Sequence, residues 1–119
     1  MIGHIGFIGF GEAGWSFSSG LRKANPNLRI TAYDIRFPED EGMRDRAAAL
    51  GVIAVDVVDA SIAEPDMVLS FVVAKASVEV AEASAAVMHA GQFYVDCNST
   101  SPQMKQKVEA ALADCPAKM

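Results

Sequence analysis

Apolar residues along this chain follow two rhythms that alternate. Ile2 to Ile8 is apolar almost throughout, as a strand buried on both faces is. Glu12 to Ala24 then places Ala13, Phe17, Leu21 and Ala24 at helical spacing, a stripe expected to pack on a sheet, and Asn25–Pro26–Asn27 stops it. Leu28 to Tyr33 alternates and contains β-branched residues, which predicts a second strand. Glu39 to Leu50 predicts a second helix with Met43, Ala47 and Leu50 on one face and Gly51 as its C-terminal cap. Val52 to Val55 reads as a short third strand, and Asp56 to Ala63 as at most two helical turns. Met67 to Val73 reads as a central strand, followed by a helix over Lys75 to His89 with Val78, Ala81, Ala85 and Met88 inward and Gly91 after its end. Gln92 to Val95 gives a fifth strand, and a last helix starts at Ser99 to Ser101 with Pro102 in its first turn. Met104, Val108, Ala111 and Leu112 form its buried face, and Thr100 with Gln103 fits a capping box. Strands alternating with helices predict an α/β fold, doubly wound, with a mainly parallel sheet of five strands in the order 3-2-1-4-5 and helices on both faces.

Five of the nine glycines lie in the first 14 residues, where random placement puts about one. Gly9–Phe10–Gly11–Glu12–Ala13–Gly14 fits G-x-G-x-x-G, at the junction of the first strand and first helix. Each glycine has a physical task there. Gly9 permits the tight turn, Gly11 lets backbone approach a diphosphate, and Gly14 lets the helix sit against the strand. Free N–H groups at the helix start face the anion. Asp34 ends the second strand 20 residues after Gly14, where a carboxylate accepts hydrogen bonds from ribose hydroxyls. These features predict a Rossmann-type dinucleotide site. Asp34 favours NAD by repelling a 2′-phosphate, whereas Arg36 offers that phosphate a partner, so the cofactor is read as NAD or NADP with a lean to NAD. The alternative for Arg36 is a solvated loop charge.

Composition narrows the field. The chain has 119 residues, 51% hydrophobic and 21% charged, which suits one folded domain rather than disorder. Ten basic against fifteen acidic residues give a net charge of −5 with no basic stripe, so nucleic acid is not an expected partner. The longest apolar stretch, about Met67 to Ala74, is far short of the roughly 20 residues of a membrane span. The start Met1 to His4 lacks the basic, then apolar, pattern of a signal peptide, and a cytoplasmic location is expected. Cys97 and Cys115 form no CxxC pair, and His4 and His89 are far apart, so neither a disulfide scaffold nor a metal site is expected. Cys97 beside Asp96 reads as a buried filler thiol, and His89 as a residue complementing the dipole at a helix C-terminus.

Two further strand ends should line the same crevice. Phe71 to Lys75 brings Val72, Val73 and Ala74 to the position flanking a nicotinamide ribose, with plain core packing as the alternative and Lys75 as a solvated helix-start residue. Val95 to Pro102 carries more small hydrogen-bonding side chains than capping needs, which points to a ligand role for Asn98 or Ser99.

The segments IGFIGFGEAG, YDIR, SFVVAKASVE and YVDCNSTSP together resemble the cofactor domain of the β-hydroxyacid dehydrogenases, the superfamily of 3-hydroxyisobutyrate and 6-phosphogluconate dehydrogenases. The resemblance runs over essentially the whole chain. Asp96, Ser101 and Pro102 match the D-x-S-T-x-S-P pattern of the first group, and Asn98–Ser99 is similar to D-G-G-N-S of the second. By that resemblance Asn98 would contact both cofactor and substrate, and Ser99 and Thr100 would lie near the substrate carboxylate. Asn98 stands where a serine is expected, so neither subfamily's substrate is assigned, and GEAG departs from the more usual GxMG. The resemblance implies oxidation of a β-hydroxyacid, with a hydride passing to the nicotinamide. The family's catalytic lysine belongs to a G-x-x-G-x-G-x-x-x-K-x-x-x-N motif that none of Lys23, Lys75, Lys105, Lys107 or Lys118 shares. No catalytic residue is therefore assigned. Residues 1–119 are expected to be a dinucleotide domain truncated before a sixth strand and a helical C-terminal domain. A stand-alone dinucleotide-binding module is the rival; a methyltransferase is disfavoured because its loop usually reads E/D-x-G-x-G-x-G. Met104 and Leu112 leave open a face for missing parts or for a homodimer.

Overall fold

The computed structural model describes residues 2–113 and 115–117, so Lys118 lies outside the described residues. Five parallel strands, β1 (His4–Ile8), β2 (Arg29–Tyr33), β3 (Ile53–Ala54), β4 (Met67–Ser70) and β5 (Phe93–Asp96), stand in the order β3-β2-β1-β4-β5. Helices α1 (Glu12–Ala24), α2 (Glu41–Ala49), α3 (Ser77–Ala85) and α4 (Pro102–Ala111) connect or follow them, with short 3₁₀ turns at Val58–Ser61 and Ala74–Ala76. This is the Rossmann-like α/β architecture. No helix among the described residues is long and apolar enough to cross a membrane.

Alternation along the strands divides the side chains between two cores. Ile5, Phe7, Ile30 and Leu69 pack with Met43 and Ala47 of α2, while Ile8, Val68 and Tyr94 pack with Ala81 of α3 and Val108 of α4. Helices therefore cover both faces. Leu112 is buried in the second core and supplies no outer surface; Met104 is half-buried.

Four local expectations are corrected. The inward face of α1 is Gly14 and Ser18, with Trp15 and Leu21 half-buried, whereas Ala13, Phe17 and Ala24 are exposed. The helix is rotated by one residue because Gly14 comes so close to the loop that a Cβ on it would lie 2.6 Å from the Gly9 carbonyl oxygen. Second, α3 stops at Ala85, not His89. Beyond it, Gln92 is buried, accepts the His89 N–H at 2.7 Å and donates to the Ile62 and Pro65 carbonyls at 2.6 and 2.7 Å. Third, His89 consequently sits in the following turn, its ring meeting the Ala63 and Ala90 carbonyls rather than a helix end. Fourth, the cap of α4 is Ser101, whose Oγ accepts the Met104 N–H at 3.1 Å, and not Thr100. Pro102 at the first helical position fixes that frame, since a proline there loses no helical hydrogen bond.

Candidate functional site

Strand order reverses between β1 and its neighbours β2 and β4, which opens a crevice at the carboxyl ends of the strands. The chain leaves β1 through Gly9, whose φ of 97° is a conformation side-chain-bearing residues rarely adopt. A Cβ there would also collide with the Phe71 carbonyl oxygen. The Gly9 N–H donates to the Tyr33 carbonyl at 2.7 Å, pinning the turn to β2. Gly11 caps α1 from an extended conformation, and no side chain caps the helix. The first helical hydrogen bond runs from the Trp15 N–H to the Gly11 carbonyl at 2.9 Å. The N–H groups of Glu12, Ala13 and Gly14 therefore have no partner within the helix, and the positive end of its dipole opens on the crevice.

Asp34 sits at the end of β2, 4% exposed, and its carboxylate is fully engaged. Oδ2 accepts the Phe10 N–H at 2.8 Å and Arg36 Nη2 at 2.9 Å. Oδ1 accepts the Arg36 N–H at 2.9 Å and Arg36 Nε at 3.0 Å. Burial pushes the Asp34 carboxyl up, but the hydrogen bonds from the Arg36 guanidinium, the Phe10 N–H and the Arg36 N–H outweigh it and hold it below the usual carboxylate range. The Arg36 side chain is 58% exposed and lies along the loop, since a Cβ on Gly11 would sit 3.1 Å from its Nη2.

The opposite wall comes from the ends of β4 and β5. Asn98 joins them: its Oδ1 accepts the Val72 N–H at 2.7 Å, and its Nδ2 donates to Ser70 Oγ at 3.1 Å and Asp96 Oδ1 at 2.6 Å. Asp96 is itself paired through Oδ2 with Lys105 of α4 at 3.0 Å. Both N–H groups of the Asn98 amide are thus committed inside the protein, leaving one lone pair of Oδ1 for a ligand. Cys97 lies beside it, and burial followed by the Asp96 carboxylate pushes its thiol up, so it is not a thiolate nucleophile at neutral pH.

These walls enclose about 800 Å³, within the range of small-molecule sites, about 300–1,000 Å³. The structure brings together Gly9, Gly11, Glu12, Ala13, Gly14, Asp34, Arg36, Val72, Val73, Asn98 and Ser99 along this one crevice. Phe10 does not reach it: its ring is in the core, and only its N–H serves the site through Asp34. Ala74 begins a 3₁₀ turn outside the lining. The Thr100 hydroxyl is buried with no hydrogen-bond partner among the described residues, and Thr100 is not among the lining residues. Sequence reasoning missed Val58 and the wall made by Ala76, Glu79, Val80 and Ala83. The signal was present in the last four, whose i, i+3, i+4 and i+7 spacing forms a second stripe on α3 and its leading turn, beside the core stripe Ser77, Ala81 and Ser84.

Residues 4–119 match the family described as the NAD binding domain of 6-phosphogluconate dehydrogenase. No curated protein matches the chain. Among solved structures, a conserved hypothetical protein from Sinorhizobium meliloti 1021 is 39% identical over 99% of this chain, with a TM-score of 0.89. A Mycobacterium tuberculosis 3-hydroxyisobutyrate dehydrogenase solved with L-serine is 21% identical over 99% of the chain, with a TM-score of 0.83. The prephenate dehydrogenase of A. aeolicus, solved with hydroxyphenyl propionate and NAD+, is 21% identical over 97%, with a TM-score of 0.78. The last two likenesses show a shared fold. The chain spans 40%, 39% and 40% of the lengths of these three proteins.

Proposed function

Because the chain belongs to the family of NAD-binding domains of 6-phosphogluconate dehydrogenase, we propose that it holds the cofactor of an NAD(P)-dependent oxidoreductase acting on a β-hydroxyacid. One observation carries this reading: unpartnered amides at the start of α1 and a fixed, buried carboxylate at the end of β2 share a single crevice. A dinucleotide needs an anion site and a ribose acceptor in that relation. The residues present fit it when the exposed Arg36 side chain moves off Asp34, which frees an acceptor site on each carboxylate oxygen.

When bound, the nicotinamide supplies a hydride acceptor; the protein supplies position. The Glu12, Ala13 and Gly14 amides bind the diphosphate, and Val72 and Val73 flank the nicotinamide ribose. Ser99, exposed at the end of β5, and the remaining lone pair of Asn98 Oδ1 face the substrate. The M. tuberculosis structure with L-serine, itself a β-hydroxyacid, supports a small substrate of that class. Among the described residues, no lysine lines the crevice, and proton transfer is assigned to none of the residues named here.

Calorimetric titration of the 119-residue chain should give saturable binding of NAD or NADP. Assays with L-serine, 3-hydroxyisobutyrate and 6-phosphogluconate should show no cofactor reduction by the chain alone. Failure to bind either cofactor at millimolar concentration contradicts the assignment, and turnover comparable to a full-length dehydrogenase contradicts the division of labour.

A further inference from the structure

Behind the wall that Asn98 presents to the crevice lie two groups that do not line it, Asp96 and Lys105. The Asp96 side chain is 2% exposed, and a carboxylate is costly to bury without partners. Its Oδ1 accepts both the Asn98 N–H at 3.1 Å and Asn98 Nδ2 at 2.6 Å. Its Oδ2 lies 3.0 Å from Lys105 Nζ, and the same ammonium donates to the Asp96 backbone carbonyl at 3.2 Å. The oxygen and nitrogen ends of an amide are so alike in size that packing alone does not decide which end faces a ligand. Here the neighbours decide it. A carboxylate only accepts and takes the Nδ2 end; the Val72 N–H only donates and takes Oδ1 at 2.7 Å. Lys105 reaches this arrangement from α4, whose frame Ser101 and Pro102 fix.

We propose that Lys105 is a positioning residue for the nicotinamide half of the cofactor site, acting through Asp96 on Asn98 and, through Asn98, on the Val72 backbone. The inference rests on the cofactor reading above. Lys105 supplies the counter-charge of the buried carboxylate and grips its main chain as well as its side chain, so Asp96 is held where it accepts from Asn98. Asn98 then keeps one open lone pair of Oδ1 toward the crevice, an acceptor for a ribose or substrate hydroxyl, and holds the segment that carries Val72 and Val73. Removing the ammonium leaves Asp96 buried without its counter-charge, and Asn98 and Val72 lose a fixed backing. The diphosphate amides of α1 and the Asp34 carboxylate belong to other elements and share no hydrogen bond with these groups. The effect of Lys105 is therefore confined to one end of the ligand.

The test measures dissociation constants for NAD and for ADP, which lacks the nicotinamide half, by calorimetry of the 119-residue chain. Wild type should bind NAD more tightly than ADP. Lys105→Met should weaken NAD about fivefold and leave ADP within about twofold, a coupling in the range of groups that share one hydrogen-bond network. Lys105→Arg keeps the cation and should hold NAD within about twofold of wild type. On an Asn98→Ala background, Lys105→Met should change NAD affinity by less than about twofold, because its route to the ligand is gone. Should Asn98→Ala not fold, the split between NAD and ADP and the arginine rescue decide the matter; should Lys105→Met not fold, Lys105→Gln carries the same expectations. Equal weakening of NAD and ADP marks a merely structural lysine and overturns the proposal, as does NAD affinity that Lys105→Met leaves unchanged. A wild type that binds NAD no more tightly than ADP also overturns it and leaves the anion and ribose site standing. Absence of binding of both ligands by wild type overturns the cofactor reading and this proposal with it.

Discussion

Gly9 and Gly11 stand two residues apart in one motif, yet physics gives them different tasks. Gly9 has a φ of 97° and a backbone oxygen where its Cβ would be; Gly11 has a φ of −70° and only the tip of Arg36 beside it. Gly9→Ala should therefore destabilise the fold by about 2 kcal/mol or more. Gly11→Ala should leave stability within about 1 kcal/mol of wild type and weaken cofactor binding at least about tenfold. Urea denaturation beside calorimetric titration separates the two, and equal stability losses would contradict the assignment. Asp34 makes a second prediction at this scale. Its folded-state carboxyl is depressed, because hydrogen bonds from Arg36 and Phe10 outweigh burial, so its contribution is complete above the unfolded carboxyl range. That contribution is lost as pH falls through the lower folded value. Asp34→Asn should flatten the acid side of the stability profile below about pH 4, and a slope identical to wild type would contradict it. The motif and Asp34 were legible from spacing and residue type. The closure of Arg36 on Asp34 was not, because a pair two residues apart reads equally well as a solvated loop charge and a free acceptor.

At the scale of elements, strand order and helix placement followed from the alternation of apolar runs, since a strand buried on both faces has a composition no surface helix shares. Helix faces and ends were less readable. The α1 stripe was misplaced by one residue because Gly14 and Ser18 are the residues the helix buries, with Trp15 and Leu21 packed beside them. Approach of backbone to backbone leaves no hydrophobic mark in a sequence. The turn after α3 is held by Gln92, a buried polar residue that accepts the His89 N–H four residues past the helix end. Asn98 has a second role that its spacing did not signal: lining the crevice, its amide also ties the ends of β4 and β5 together. Asn98→Ala leaves the Val72 N–H and Asp96 Oδ1 short of a partner and should cost about 2–3 kcal/mol, measured by urea denaturation. A loss below about 0.5 kcal/mol would show that the tie is not structural.

The whole molecule is a sheet with two cores and one crevice at its reversal point. Each loop that meets there leaves the carboxyl end of a strand, so the fold gathers residues from positions 8 to 99 into a single site. The crevice offers an anion site, a fixed carboxylate and a small polar floor, which is the equipment for holding a dinucleotide. The most direct measurement is a backbone amide spectrum of the 119-residue chain titrated with NAD. The account predicts that the Gly11, Glu12, Ala13 and Gly14 resonances shift together and saturate, with Asp34 and Arg36 moving alongside them. Saturable shifts confined to another surface, or none at these residues with millimolar NAD, would contradict it.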